Sequence, residues 1–278
     1  MANVLIAGCG YVGTALGLEL ASQGDRVWGL RRDASQLPSQ LNAVSADLGN
    51  PATLHTLPRE LDYVVYCAGA DASTDAAYEL VYVNGLRNVL NAVAGSGARR
   101  VFFTSSTAVY GQAAGEWVDE ASETTPAHFS GARLLEAERL LHEQALAATV
   151  LRCSGIYGPG RTRLIDSVRN GNASPSQRFM NRIHRDDVSG AIAHLLHMAE
   201  PPPLLLLSDD APALDSEVIA FIAQQLGVPA PAAPEGGPTP AARGGHKRCR
   251  NGLLRATGYR LRYPSYREGY GAMLAAAG

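Results

Sequence analysis

Short apolar runs alternate with longer segments of helical periodicity along the first 155 residues. Residues 3–7 (NVLIA) form an apolar run closed by glycine, and 11–22 place Val12, Leu16 and Leu20 at helical spacing. Residues 26–30 (RVWGL) predict a second strand, 42–46 a weaker one and 51–57 a short helix. A strand at 62–67 (DYVVYC), a long helix at 75–94 and a strand at 100–104 follow, then a helix at 127–144 and a strand at 148–153. Strands alternating with helices predict βαβ units, and therefore an α/β fold with a doubly wound parallel sheet and helices on both faces.

Beyond about residue 155 the regularity fades. Tyr157-Gly158-Pro159-Gly160 is a turn cluster, 186–198 reads as a helix, and 201–207 as a buried strand entered through prolines. A helix at 216–226 precedes residues 227–245, almost all Pro, Ala and Gly, which read as a flexible loop. A last helix starts near Tyr266. The expected organisation is a dinucleotide-binding domain over 1–155, with 186–207 returning to it. Residues 156–185 and 208–278 would form a small C-terminal substrate-binding region.

Composition narrows the partners. With 46% hydrophobic and 18% charged residues and a net charge of -2, the chain of 278 residues has the apolar content of a globular fold and no basic surplus for nucleic acid. No apolar run approaches the roughly 18 residues needed to span a bilayer. The four cysteines, 9, 67, 153 and 249, are far apart and lack a CxxC, as expected of reduced thiols in a cytoplasmic protein without a metal site. The 24 basic residues include one lysine, Lys247, so lysine chemistry is closed at every other position.

Gly8-Cys9-Gly10-Tyr11-Val12-Gly13 follows the first strand and opens the first helix. Glycines at this spacing allow a tight turn, a close backbone approach to a pyrophosphate at a helix N-terminus, and close helix–sheet packing. The position that carries an acid in NAD-specific folds, roughly 20 residues on, holds Arg31 and Arg32. Guanidinium groups there suit a 2′-phosphate, so NADP is the expected cofactor, with NAD kept as the alternative by Asp33. Asp47-Leu48 and Ala68-Gly69 fall at the ends of the third and fourth strands, where such sheets bind ligands. Thr104-Ser105-Ser106 leave the fifth strand with hydroxyls suited to a substrate carbonyl or alcohol.

Taken in order, the motifs resemble the extended short-chain dehydrogenase/reductase superfamily, the NAD-dependent epimerase/dehydratase group. Beside the glycine motif and the aspartate after strand three, the matches are Ser105-Ser106-Thr107-Ala108-Val109-Tyr110-Gly111, Arg152, Tyr157-Gly158-Pro159-Gly160 and His184-Arg185-Asp186-Asp187-Val188. The segment Lys247-Arg248-Cys249-Arg250-Asn251 with Tyr263-Pro264 is closest to the atypical YeeZ-like subgroup. The resemblance implies a Rossmann-type fold. It also implies a catalytic Tyr-x-x-x-Lys pair on the helix after strand five, where this chain has Phe129 and Arg133. A phenyl ring carries no proton. Arg133 keeps the donors to hold a cofactor ribose but cannot replace the tyrosine. The resemblance brings Ser106, Tyr110 and Tyr157 near the site as candidate catalytic groups, beside His128 and His184. It makes Ser106, Arg161, Arg182, Lys247 and Asn251 candidate substrate contacts.

Two functions follow as expectations. The first is an NAD(P)-binding epimerase/dehydratase-like oxidoreductase acting on a small anionic or nucleotide-sugar-like molecule. The second is a non-catalytic sensor of NADP(H), for which Phe129 is the main argument. In many members of the group the helices matching 75–94 and 127–144 build a dimer interface. The second helix has few large apolar residues on its outer face, so monomer and homodimer both stay open.

Overall fold

The computed structural model describes residues 1–231 and 245–276. Most of the Pro/Ala/Gly segment expected as a loop lies outside them. Strands β1 (Asn3–Ala7), β2 (Arg26–Arg31), β3 (Asn42–Ser45), β4 (Tyr63–Tyr66) and β5 (Arg100–Ser106) join Ala147–Cys153 and Leu204–Leu207 in one seven-stranded sheet. Across the sheet the order is Leu204–Leu207, Ala147–Cys153, β5, β4, β1, β2, β3, with every ladder parallel. The strand order reverses between β1 and β4, so the crevice above their carboxyl ends is the place where such a sheet takes a ligand.

The strands are apolar on both sides because both faces are covered. On one face β1 residues Leu5 and Ala7 pack with Leu86, Val89, Leu134 and Leu141. On the other, Val4 and Ile6 pack with Leu16, Leu20, Val188 and Ile192, from helix α1 (Tyr11–Ser22) and helix Arg185–Leu196. Phe102 and Phe103 alternate between the two cores, each fully buried, and each such side chain contributes about 1.5–3 kcal/mol of transfer free energy.

The long helix expected at 75–94 is a continuous helical run over 75–92 that changes pitch. Asp75–Tyr78 is α-helical, Glu79–Gly85 is a π-helix and Leu86–Ala92 is α-helical again. The buried Tyr66 hydroxyl donates to the Val81 carbonyl at 2.5 Å, and a Cβ on Gly85 would lie 2.7 Å from that hydroxyl. A polar side chain wedged into the helical ladder, beside a residue with no side chain, accounts for the widened turn.

Short elements missed by periodicity pair into separate two-stranded sheets beside the main one. Glu116–Val118 pairs with Lys247–Cys249, and Gly155–Tyr157 with Arg182–His184. The Asn181 amide imitates a strand, donating to the Lys247 carbonyl at 2.9 Å and accepting from the Cys249 N–H at 2.8 Å. Asp187, fully buried, accepts from the Tyr259 hydroxyl and from the Arg262 and Tyr263 N–H groups, and so clasps 259–263 to helix Arg185–Leu196. A third core, with Ile165, Ile219, Ile222 and Tyr270, fills the C-terminal region.

Candidate active site

A cleft of about 620 Å³ runs over the carboxyl ends of the strands, at the point where the order reverses. Its middle is the glycine turn. Gly8 has φ +87°, and a Cβ there would fall 2.3 Å from Ala68 Cα, so the Gly8-to-Ala68 approach requires glycine. Gly10 faces open space, its nearest neighbour being the Gly8 carbonyl at 3.9 Å from the position of a Cβ. Gly13 is the packing glycine, where a Cβ would meet Ile6 Cγ2 at 2.9 Å and Cys67 Sγ at 3.0 Å. Helix α1 begins with no side-chain cap, and its first residues, Tyr11 and Val12, line the cleft. Uncapped N–H groups beside a turn open to close approach fit the pyrophosphate of a dinucleotide.

One end of the cleft is formed by Arg31, Arg32, Asp33, Asp47, Leu48, Gly49, Asp71 and Leu80. Leu80 is 49% exposed there, an apolar side chain free to cover a ligand ring beside Leu48. Arg32 is paired with Asp71 at 2.8 Å. Asp33 accepts from the Ser35 N–H and hydroxyl, and these bonds hold its carboxyl below the usual range. Arg31 is half-buried at the end of β2; its carbonyl accepts from the Ala46 N–H at 3.2 Å, and its guanidinium makes no hydrogen bond or ion pair among the described residues.

The other end is lined by Thr104, Ser105, Ser106, Cys153, Ser154, Ile156, Arg161 and, on the π-helical turn, Val81 and Tyr82. Ser106 sits opposite Cys153 in the sheet, and its hydroxyl accepts from the Ala108 N–H at 3.1 Å. The Arg161 guanidinium stacks 4.1 Å from the centre of the Tyr11 ring and donates to the Ile156 carbonyl at 2.7 Å. Burial pushes the Cys67 thiol up, and that of Cys153 up to about 12, so both stay protonated near neutrality and are poor nucleophiles. Among the described residues no group of His, Cys, Asp and Glu could hold a metal ion.

The structure thus gathers Gly8, Gly10, Tyr11, Val12, Arg31, Arg32, Asp47, Leu48, Ala68, Gly69, Ser106 and Arg161 around one cleft, with Gly13 packed beneath it. It does not bring Arg133 there. That guanidinium is held by Asp75 at 2.8 Å, Glu79 at 3.3 Å and Glu136 at 2.9 Å, on the flank between its own helix, Phe129–His142, and the run 75–92.

Tyr110 and Tyr157 are also placed elsewhere, because their hydroxyls are committed inside the protein. Tyr110 donates to the Asp119 carbonyl at 2.8 Å and accepts from Arg152 at 3.0 Å, while Tyr157 donates to the Ser265 carbonyl at 3.4 Å and stacks on Tyr270. Arg152 and Glu138 form a buried ion pair at 2.7 Å that also takes the Ser105 hydroxyl. Arg182, Lys247 and Asn251 are buried and lie outside the cleft lining. Arg182 donates to the Met180 carbonyl and pairs with Asp215, Lys247 reaches the Tyr110 carbonyl, and Asn251 donates to the Ser208 carbonyl and Asp210. His184 accepts from the Asp186 N–H and packs at a tilt against Tyr263, and His128 precedes helix Phe129–His142; neither lines the cleft.

The sequence pattern does not single out Leu80, Val81, Tyr82 or Ser154, which also line the cleft. Ser154 follows the strand Ala147–Cys153, and a strand-end rule would have found it. Tyr82 lies inside a helical pattern, and only the change of pitch explains its direction.

A doubly wound sheet with a glycine-lined, uncapped helix start at its switch point defines a dinucleotide-binding α/β protein. The chain belongs to the NAD dependent epimerase/dehydratase family, whose family model matches residues 4–197. Protein YeeZ of Escherichia coli (strain K12) is 28% identical over 211 residues, 70% of this chain and 73% of that one. The solved structure of a candidate NAD-dependent epimerase/dehydratase from Methylobacillus flagellatus is 42% identical, with a TM-score of 0.86 over 99% of this chain and 98% of that one. The Bordetella bronchiseptica enzyme WbmG, solved in complex with NAD and UDP, shares the fold at 18% identity, with a TM-score of 0.85 over 99% of this chain and 94% of that one.

Proposed function

We propose that the cleft binds a nicotinamide dinucleotide, with NADP favoured over NAD, and that the protein is an oxidoreductase of the epimerase/dehydratase type. The observation that carries this reading is the Gly8–Gly13 turn beneath an uncapped helix, with the Arg31 guanidinium at the end of β2 unpaired among the described residues. A nicotinamide, when bound, supplies the site with an acceptor or donor of hydride.

The other roles belong to the chain's own residues. The Tyr11 and Val12 N–H groups hold the pyrophosphate, and Leu48 and Leu80 enclose the adenine. Arg31 takes a 2′-phosphate, Asp33 being occupied by its own turn. Ser106 offers a hydroxyl to the substrate oxygen. Arg161 is the guanidinium at the substrate end, which favours a small anionic or nucleotide-sugar-like substrate.

Cofactor-linked stabilisation tests the site. A ligand held at 100 times its Kd stabilises the native state by about 2.7 kcal/mol. NADP+ is expected to raise the melting temperature of the wild type and to leave that of Gly8→Val unchanged. Equal responses from the two proteins would place the dinucleotide elsewhere.

The second reading, a sensor without turnover, is favoured by Phe129, whose ring packs edge-on against Tyr78 at 5.4 Å. The retained hydroxyl-lined substrate end favours the enzyme.

A further inference from the structure

We propose that Tyr82 is the catalytic residue that gives its phenolic proton to the substrate oxygen in this cleft. The inference rests on the nicotinamide reading above and supplies the proton carrier that Phe129 cannot be.

The titratable groups of the cleft narrow the choice. Asp33, Asp47 and Asp71 lie at the opposite end, beside Arg31 and Arg32, and among the described residues no histidine, lysine or glutamate lines the cleft. Of the described tyrosines, Tyr11 and Tyr82 line it. The Tyr11 hydroxyl is buried away from the opening; a Cβ on Gly158 would lie 2.9 Å from it and 3.1 Å from His184 Nε2. Tyr82 instead lines the cleft with Ser106, Ser154 and Cys153, the strand-end residue opposite Ser106.

The surrounding architecture holds Tyr82 in that place. It belongs to the π-helical turn that Tyr66 pins through the Val81 carbonyl. Its ring packs on Tyr78 at 5.1 Å, and Tyr78 packs on Phe129 at 5.4 Å. Arg133 anchors the start of the same run through Asp75 and Glu79. The two positions that carry the family's tyrosine and lysine therefore buttress the helix that brings another tyrosine to the cleft.

Burial pushes the Tyr82 phenol up to about 12, so it rests protonated and acts as an acid. This suits carbonyl reduction. The Tyr82 O–H bond breaks and a new O–H bond forms on the substrate oxygen. The carbonyl carbon takes up a hydride from a reduced nicotinamide, which is the co-reactant and is oxidised. The alcohol leaves, and the tyrosinate regains a proton from water.

The test uses isotope-labelled tyrosine NMR on the full chain, with the Tyr82 signal assigned from Tyr82→Phe. An oxidised nicotinamide ring is a cation, and beside the phenol it should shift the Tyr82 ring signals when NADP+ is added near neutral pH. The Tyr63 signal, from the far end of β4, should not move. Tyr82→Phe should keep NADP+ affinity within threefold. Tyr82 ring signals that stay put while fluorescence shows NADP+ bound overturn the proposal alone, as does a Tyr82→Phe protein that folds but no longer binds NADP+. Wild-type protein that binds neither NADP+ nor NAD+ overturns the reading beneath it, and the proposal with it.

Discussion

Arg133 and Asp75 face each other through two parallel bonds, Nε to Oδ1 and Nη2 to Oδ2, both 2.8 Å long. The paired geometry uses the planar fork of the guanidinium, which a lysine lacks. It ties the helix after β5 to the run 75–92 and turns the Arg133 charge away from the cleft. Arg133→Ala is therefore expected to change NADPH affinity by less than about threefold while loosening 75–85, which hydrogen exchange of that segment would show. A loss of about tenfold or more in affinity would return Arg133 to the cofactor site.

Arg31 carries the choice of cofactor. Removing a bidentate guanidinium from a phosphate costs about 1.5–3 kcal/mol, roughly tenfold or more in Kd. Arg31→Ala should weaken NADPH binding by that factor and leave NADH within about twofold. Parallel titrations of the variant with both dinucleotides check this, and equal losses would remove Arg31 from phosphate recognition.

The Arg152–Glu138 pair is buried on both sides, at 7% and 4% side-chain exposure. Glu138→Ala would leave the guanidinium without its carboxylate in the core, for an expected cost of about 3–5 kcal/mol. Denaturant unfolding of the variant measures it; a loss under about 1 kcal/mol would show that water or another group reaches Arg152.

Asp209 gives the fold a pH dependence. Asp209 is 1% exposed, one of its carboxyl oxygens has no hydrogen-bond partner among the described residues, and burial pushes the group up to about 8 from an ordinary value of 3.8. The folded state thus holds a proton that the unfolded chain releases above pH 3.8. The stability Asp209 lends is fully present below that value and is lost as pH rises through about 8. Asp209→Asn keeps an acceptor for the Ala211 N–H and removes the titration. Its urea midpoint should fall less than that of the wild type between pH about 5 and 8. Identical slopes would show that Asp209 is charged in the fold.

The alternation of apolar runs made β1 to β5 and the strand Ala147–Cys153 legible, because a strand buried on both faces must be apolar throughout. The glycine turn was legible for a similar reason: Gly8 and Gly13 answer to steric needs that no other residue meets. The substrate end was not. Tyr110 and Tyr157 stand in motifs near strand ends, but tertiary bonds to Arg152 and Ser265 decide where their hydroxyls point. The two-residue and three-residue strands that fasten 247–249 and 179–184 are too short to show a period, and the Asn181 bridge leaves no local pattern.

The most direct test of the cofactor assignment is a fluorescence titration of the purified protein with NADPH and, separately, NADH. Both are expected to bind, NADPH more tightly by at least about tenfold, or about 1.4 kcal/mol. Tighter binding of NADH would contradict the Arg31 reading, and binding of neither would contradict the assignment of the cleft itself.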